Sequence, residues 1–280
     1  MNYLDAIQKA TITLKKNNIK SYKIDSEILL CNTLKIKREK LLLNLDHKIE
    51  KKIYNKFINL VLRRKKGEPI AYIIGYKEFW KNKYIVNPNV LIPRPDSELI
   101  VEEALKIIPK KASLNILDIG TGSGCLIISI LKERRNCYGV ALDISRKALK
   151  VAKINAKIQQ LENRIKFVNS DIDNFSIGKY DIILSNPPYI NSFGINYLDK
   201  DIKYYEPKIA LNGGIDGFSC INAVINRSSR LIKRKGKLLF EIGSNQLNKT
   251  KKILNKKDFY LNKIEKDLGD KYRCVLSTKN

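Results

Sequence analysis

Two short segments of the sequence carry residue types that can do chemistry on a planar nitrogen. The first is Asn186-Pro187-Pro188-Tyr189, which follows the buried-strand pattern of residues 180–185. The Asn186 side-chain carbonyl and the nearby backbone carbonyls can each accept one N–H of an NH2 group, and the prolines stiffen the turn without adding a competing N–H. Tyr189 offers an aromatic wall for a flat group. The segment predicts a site that presents an NH2 group to an electrophile, although a proline-terminated strand with an ordinary loop would look the same.

The second segment is the glycine-rich turn from Asp118 to Gly124, Asp-Ile-Gly-Thr-Gly-Ser-Gly. Its glycines permit a tight turn and close approach of a ligand to the backbone, and the N–H groups at the following helix start favour an anion. Asp143 lies 23 residues beyond Gly120, at the end of the next predicted strand, where an acid can bind both ribose hydroxyls. The spacing differs from the G-x-G-x-x-G of dinucleotide sites, and Asp118 suits a ligand that carries an ammonium or sulfonium. We therefore expect a nucleoside site.

The elements that must position these segments alternate between strand and helix. From residue 114 onward, strand patterns at 114–119, 138–142, 165–168 and 181–184 are interleaved with helix patterns at 125–132 and 147–158, and a helix, a strand, another helix and two final strands follow. This pattern predicts an α/β fold, a doubly wound sheet that ends in an antiparallel hairpin. Ligands of such sheets bind beyond the carboxyl ends of the strands, so both segments should border one crevice.

The first third of the chain has a different character. Residues 1–69 show helical periodicity and predict a small helical bundle that recognises a partner. Residues 70–92 are rich in β-branched and aromatic side chains, with a plausible turn at 81–83, and predict a β-hairpin connector. Residues 93–280 form the predicted catalytic domain, in which Asp96 or Ser97 can cap a helix that runs to Ile108.

Composition narrows the class of protein. The formal net charge of +26 is spread along the chain without a long basic block, which favours a compositional excess over a dedicated nucleic-acid site. Five scattered cysteines without a C-x-x-C pair predict neither a disulfide framework nor a metal site, and reduced thiols fit the cytoplasm. No signal-peptide pattern and no apolar stretch of membrane-spanning length is present. With His47 as the single histidine, a Ser-His-Asp mechanism is improbable.

The glycine turn, Asp143 and Asn-Pro-Pro-Tyr together resemble the S-adenosylmethionine-dependent amino methyltransferases, and the chain is most similar to the peptide chain release factor glutamine N5-methyltransferase family. The resemblance covers nearly the whole length. It also rests on Gly67 to Ile73, Glu78 to Trp80, Val90 to Glu98, Ala141 to Ser145, Glu206-Pro207, Gly213 to Gly217 and Glu241 to Gly243. The segment Ile92-Pro93-Arg94-Pro95-Asp96 is the most specific, because adenine methyltransferases share Asn-Pro-Pro-Tyr but lack this segment.

The resemblance implies a Rossmann-like class I methyltransferase domain that uses S-adenosyl-L-methionine and no metal. It implies cofactor contacts by Gly120, Thr121, Gly122, Ser123, Gly124, Asp143, Asn186 and, beside adenine, Asp171 or Ile172. It implies substrate contacts by Asn186, Pro187, Pro188, Tyr189 and Arg94, with catalytic roles for Asn186, Pro187 and Tyr189. Ile172 departs from the family, which often has an aromatic residue there, and Ser97 stands where the family usually has Thr.

The expected reaction is methyl transfer to the side-chain amide nitrogen of the glutamine in the Gly-Gly-Gln motif of class I release factors. Hydrogen bonds to Asn186 and the Pro187 carbonyl would align the nitrogen, and a general base would not be needed. The alternatives are a ribosomal protein L3 glutamine methyltransferase, against which Arg94 to Asp96 argues, an adenine-N6 methyltransferase and a ribosome-associated binding protein. We expect a cytoplasmic monomer that needs no membrane and no nucleic acid.

Overall fold

The computed structural model describes residues 1–280, which form two compact units. The first unit contains Met1–Gly75 and Asp199–Tyr205, and the second contains Tyr76–Leu198 and Glu206–Asn280. The α-helices are α1 Tyr3–Lys16, α2 Tyr22–Leu34, α3 Arg38–Leu42, α4 Lys51–Lys65, α5 Ile70–Ile74, α6 Glu98–Ile107, α7 Cys125–Glu133, α8 Arg146–Ile158, α9 Lys200–Tyr205, α10 Ser219–Leu231 and α11 Leu247–Lys256. The strands are β1 Tyr76–Phe79, β2 Asn82–Ile85, β3 Asn115–Ile119, β4 Tyr138–Asp143, β5 Ile165–Asn169, β6 Tyr180–Ser185, β7 Ile232–Glu241, β8 Phe259–Lys266 and β9 Tyr272–Lys279.

The first unit is a helical bundle built from α1 to α5 and α9. Asn2 and Asp5 form a capping box that starts α1, with each side chain bonded to the other's backbone N–H. The apolar core joins α1, α2 and α4 through side chains such as Leu14, Leu29 and Phe57. None of the helices of the chain combines the length and apolar character that a membrane span requires.

The second unit is built on a seven-stranded sheet with the order β5-β4-β3-β6-β7-β9-β8. The strands from β5 to β7 are parallel, whereas β9 runs antiparallel to both β7 and β8. Successive residues of a strand face opposite sides of the sheet. Ile116 packs in the core that contains α6 and α7, whereas Leu117 packs in the core that contains α10 and α11. The doubly wound α/β fold with a terminal hairpin is confirmed.

The predicted connector at 70–92 is not one element. Residues 70–74 form the single-turn helix α5, which follows Pro69 and ends at Gly75 with φ +83°. The hairpin is shorter, β1 with β2, and its turn is the pair Trp80-Lys81 rather than 81–83, because Phe79 pairs directly with Asn82. Both turn residues have positive φ, as the two-residue hairpin turns that follow the strand twist require.

The predicted cap of α6 is wrong as well. Residues 95–97 form a 3-10 turn that runs into α6, and neither Asp96 nor Ser97 bonds to the helix backbone through its side chain. The Ser97 hydroxyl instead donates to Glu241, which leaves it part of a buried polar cluster at the carboxyl end of β7. The sequence pattern identified the helix, but it did not reveal that Ser97 bonds to Glu241 instead of capping the helix.

Candidate active site

The strand order changes direction between β3 and β6, and the two predicted functional segments meet there. Ile119, the last residue of β3, pairs with Ser185, the last residue of β6. The glycine turn and Asn186 therefore leave the sheet side by side, at the switch point where open α/β sheets bind ligands. A cavity of about 410 Å³ opens at this edge, entirely within the second unit.

Most of the site residues expected from the sequence line this cavity. They are Arg94, Gly120, Thr121, Gly122, Ser123, Asp143, Asp171, Ile172, Asn186, Pro187 and Pro188. Two expected residues, Gly124 and Tyr189, are absent from its lining. Apolar surface predominates among the other lining residues, as is typical of a pocket for a small organic ligand.

The glycine turn has the geometry of a ligand cradle. Gly120, Gly122 and Gly124 all have positive φ, between 56° and 82°. A Cβ placed on Gly120 would meet no atom within 4 Å, and one on Gly122 only the Gly120 carbonyl oxygen at 3.9 Å. A Cβ on Gly124 would collide with Ile128 at 2.8 Å, because this residue packs the turn onto α7. The first two glycines thus keep space open for a ligand, and the third serves packing.

Two carboxylates hold the turn, Asp143 through the Gly122 N–H and Asp118 through the Thr121 hydroxyl. Asp143 accepts the Gly122 N–H at 2.9 Å and the Ser145 N–H at 2.8 Å, and it remains part of the cavity wall. Burial raises the pKa of the Asp143 carboxyl, and these two N–H donors oppose the rise. Since each oxygen has a further lone pair, Asp143 can still accept hydroxyl groups from a ligand.

Asp118 is fully buried where β3 enters the turn. Its Oδ2 accepts the Thr121 hydroxyl at 2.7 Å, whereas Oδ1 has no hydrogen-bond partner. Burial raises the pKa of Asp118 to about 7, with a smaller upward contribution from the charge of Asp143. A carboxylate with an unpartnered oxygen this close to the cradle favours a ligand that carries positive charge.

Asn186 presents its carboxamide with a defined orientation. Its Nδ2 donates to the Ser97 hydroxyl oxygen at 2.8 Å, while Oδ1 accepts no hydrogen bond within the chain. The backbone carbonyl of Pro187 also accepts none. Two acceptors on adjacent residues are therefore available at the cavity, which is the arrangement that an NH2 group needs.

Tyr189 is absent from the lining of the cavity, and its side chain is held by other residues of the chain. Its hydroxyl donates to Glu241 Oε1 at 2.9 Å, and the Arg273 guanidinium lies over its ring at 5.9 Å from the centroid. Glu241 is fully buried and also accepts the Ser97 hydroxyl on Oε2 at 2.5 Å. Tyr189 thus belongs to a buried polar cluster with Ser97, Glu241 and Arg273, and its role as an aromatic wall stays a prediction.

Arg94 is held by a buried acid. Its NH2 group contacts Glu206 Oε1 at 2.6 Å, and Glu206 Oε2 accepts the Ile92 N–H at 3.1 Å. Arg94 thus pairs with Glu206, which is distant in sequence and buried, rather than with its sequence neighbours Asp96 or Glu98. Because 32% of the Arg94 side chain remains exposed and it lines the cavity, it can still meet a substrate.

Asp171 and Ile172 also line the cavity, and they follow β5, which ends at Asn169. Asp171 caps the 3-10 turn Ile172–Asn174 by accepting the Asp173 N–H at 2.9 Å. Cys220, from the start of α10, also lines the cavity. No group of three or more His, Cys, Asp or Glu side chains is arranged to hold a metal ion.

Sequence reasoning did not find the cluster of Ser97, Glu241 and Arg273 as part of the site. One signal was available: Glu241 is an acid at the end of an apolar strand pattern, which favours a buried side chain that is held by hydrogen bonds, as is observed. The sequence does not reveal that Glu241 is connected to Asn186, because the connecting hydrogen bonds run through Ser97. Ser97 is 89 residues from Asn186 and 144 residues from Glu241.

Known protein families match both units of the chain. Residues 5–75 match the family model of the PrmC N-terminal domain, and residues 97–198 match that of the methyltransferase small domain. Among solved structures, a methyltransferase from Pyrococcus furiosus superposes with a TM-score of 0.52 at 18% identity, covering 70% of this chain and 88% of that one. That likeness concerns the fold alone.

Relatives of known name match over the full length. A release factor glutamine methyltransferase from Clostridium acetobutylicum is 37% identical over 282 residues, which cover 100% of this chain and 99% of the relative. One from Fusobacterium nucleatum is 34% identical, covering 99% of this chain and 78% of the relative. The chain therefore belongs to the release factor glutamine methyltransferase family and is a methyltransferase.

Proposed function

We propose that this enzyme transfers the methyl group of S-adenosylmethionine to the side-chain amide nitrogen of the glutamine in the Gly-Gly-Gln motif of class I release factors. The observation that carries the proposal is the pair of open acceptors, Asn186 Oδ1 and the Pro187 carbonyl, beside the glycine cradle. A primary amide has two N–H donors in one plane, so it matches this pair.

The cavity residues fit S-adenosylmethionine. Asp143 can accept ribose hydroxyls, and the open space above Gly120 and Gly122 admits a ligand against the backbone. Asp118, which is buried behind the turn, favours the positive charge of the ligand when it is ionised. Asp171 and Ile172 are the residues we assign to the adenine. When bound, the cofactor supplies an electrophilic methyl group on sulfonium.

The chain's own contribution is to position the amide and stabilise charge. The amide lone pair is delocalised, so the nitrogen must be held in line with the methyl group to react. Asn186 Oδ1 and the Pro187 carbonyl would each accept one N–H, and both oxygens would oppose the positive charge that develops on nitrogen. An amide protonated on nitrogen is strongly acidic, so its proton can pass to water without a dedicated base.

The partner assignment draws on the first unit and on the relatives. The bundle falls in the region that matches the PrmC N-terminal domain, and the relatives that match along the whole chain are named for release factors. We propose that this bundle helps to bind the release factor. We also propose that the enzyme acts as a monomer in the cytoplasm. Arg94, which lines the cavity, is the residue we assign to the substrate beyond the amide.

The test is methyl transfer from radiolabelled S-adenosylmethionine to purified class I release factor. We expect labelling of the intact factor and none of a matched factor whose motif glutamine is replaced by asparagine. Ribosomal protein L3 and adenine-containing DNA and RNA serve as competing acceptors in the same assay. Labelling of one of these instead of the release factor would overturn the proposal.

A further inference from the structure

The proposed reaction requires the Asn186 carboxamide to keep one of its two possible orientations, and the polar cluster of Ser97 and Glu241 lies next to it. A carboxamide presents an oxygen on one side and an NH2 on the other, and the two orientations fill nearly the same space. Only the orientation with Oδ1 toward the cavity can accept an N–H from the substrate. The opposite one would place two donors against the substrate's own donors.

We propose that Glu241, acting through Ser97, fixes the orientation of the Asn186 carboxamide so that Oδ1 faces the substrate amide. Both residues are positioning residues, and the inference rests on the proposed function.

Both oxygens of Glu241 receive a hydroxyl proton. Oε2 accepts from Ser97 at 2.5 Å and Oε1 from Tyr189 at 2.9 Å. Arg273, which has only donors, approaches the Tyr189 oxygen at 3.4 Å and is itself paired with Asp267 at 2.8 Å. The Tyr189 proton is therefore directed to Glu241, and an ionised Glu241 is acceptor-only toward both hydroxyls.

A serine has one hydroxyl proton, and this one is committed to Glu241. Toward Asn186 the Ser97 oxygen can then only accept, so it selects Nδ2, which lies at 2.8 Å. Selection of Nδ2 on that side places Oδ1 on the other. Ser97 is 2% exposed and Glu241 1% exposed, so these bonds are largely shielded from bulk water.

Sequence position explains why these residues can meet. Glu241 ends β7, and its neighbour Phe240 pairs with Ser185, the residue before Asn186. Ser97 lies in the turn before α6, which reaches the same sheet edge. The three segments converge only in the folded chain.

The cluster also predicts a dependence on pH. A protonated Glu241 could donate to Ser97, which would free the Ser97 proton for Asn186 Oδ1 and favour the unproductive orientation. Burial raises the pKa of Glu241, with Asp96 raising it further, while the bonds from Ser97 and Tyr189 and the charge of Arg273 oppose the rise. The other titratable residue next to Glu241 is Cys274, which pairs with it from β9. The acid limb of kcat should therefore lie above the range of an ordinary carboxyl.

The experiment compares Glu241→Gln, Ser97→Ala and Ser97→Thr with the wild-type enzyme, using a class I release factor and S-adenosylmethionine. Glu103→Gln is the matched control, since Glu103 is a buried glutamate that pairs with Lys106 and Lys263 away from the cavity. Cofactor affinity is measured by calorimetry, and thermal unfolding reports folding.

We expect Glu241→Gln and Ser97→Ala to lower kcat by about 10²-fold, because the reacting amide loses its alignment. KM and cofactor affinity should change little, Ser97→Thr should restore most of kcat because it keeps the hydroxyl, and Glu103→Gln should match the wild type. Glu241→Gln should also lose the acid limb of the kcat profile.

Wild-type kcat in Ser97→Ala and Glu241→Gln would overturn the inference while leaving the proposed function intact, and so would a loss confined to KM or to cofactor affinity. If Glu241→Gln does not fold, the pair Ser97→Ala and Ser97→Thr decides, since equal activity of the two contradicts a role for the hydroxyl. A wild-type enzyme that does not methylate the release factor would refute the proposed function and the inference with it.

Discussion

Asp118 offers a prediction whose size follows from the structure. The carboxyl is fully buried, keeps one oxygen without a partner and has a pKa of about 7 against an ordinary value of 3.8. A carboxyl whose pKa is higher in the folded chain binds its proton more tightly there. It therefore supports the fold at low pH, and this support is lost as the pH rises from about 4 through about 7.

The perturbation is Asp118→Asn, which keeps the size of the side chain and an acceptor for the Thr121 hydroxyl but cannot ionise. With these two pKa values, the wild-type protein loses roughly 2–3 kcal/mol of its free energy of unfolding between about pH 5 and about pH 8 as Asp118 ionises. The variant does not lose this contribution. Groups that do not interact with Asp118 titrate equally in both proteins and cancel in the difference.

The assay is urea unfolding of both proteins, without cofactor, at several pH values. The free energy of unfolding of Asp118→Asn, minus that of the wild type, should grow by roughly 2–3 kcal/mol from the acid to the alkaline end. A difference that stays constant with pH would refute the reasoning, because it would mean that Asp118 titrates alike in the folded and unfolded chain.

Three further predictions concern the other residues of the site. Asn186→Ala should lower kcat by about 10²–10³-fold with cofactor affinity retained, measured by methyl transfer and calorimetry, since it removes one acceptor that stabilises charge; a cofactor affinity that falls in parallel would contradict this. Gly122→Ala should weaken cofactor binding more than folding, whereas Gly124→Ala should destabilise the fold by roughly 1–3 kcal/mol, because its Cβ meets Ile128 at 2.8 Å; equal effects of the two on unfolding would oppose the assignment. Glu206→Ala should destabilise by roughly 2–4 kcal/mol in urea unfolding, because it strands the Arg94 guanidinium and the Ile92 N–H, and a change below about 0.5 kcal/mol would contradict that.

The parts of the fold and site that the sequence predicted are those encoded over short distances. The glycine turn, Asp143 and Asn186 each follow a strand directly, and parallel strands bring their carboxyl ends to one edge, so local patterns sufficed to place them together. The helical first unit and the doubly wound second unit followed from periodicity for the same reason.

The parts that failed depend on contacts between distant segments or on competing local signals. Residues 70–74 look like a strand by side-chain type, yet the proline before them and Gly75 after them delimit one helical turn. The hydrogen-bond partners of Tyr189 and Arg94 are Glu241 and Glu206, which only the fold brings near. Buried acids recruit donors from anywhere within reach, and sequence spacing does not reveal which donors those are.

The central claim is that the amide-binding pair at Asn186 and Pro187 acts on a release-factor glutamine. The most direct measurement is mass spectrometry of the Gly-Gly-Gln peptide, recovered from a class I release factor after incubation with the enzyme and S-adenosylmethionine. We predict a mass increase of one methyl group, located on the glutamine side chain and absent with Asn186→Ala. A peptide that stays unmodified while the wild-type enzyme methylates another acceptor would contradict the claim.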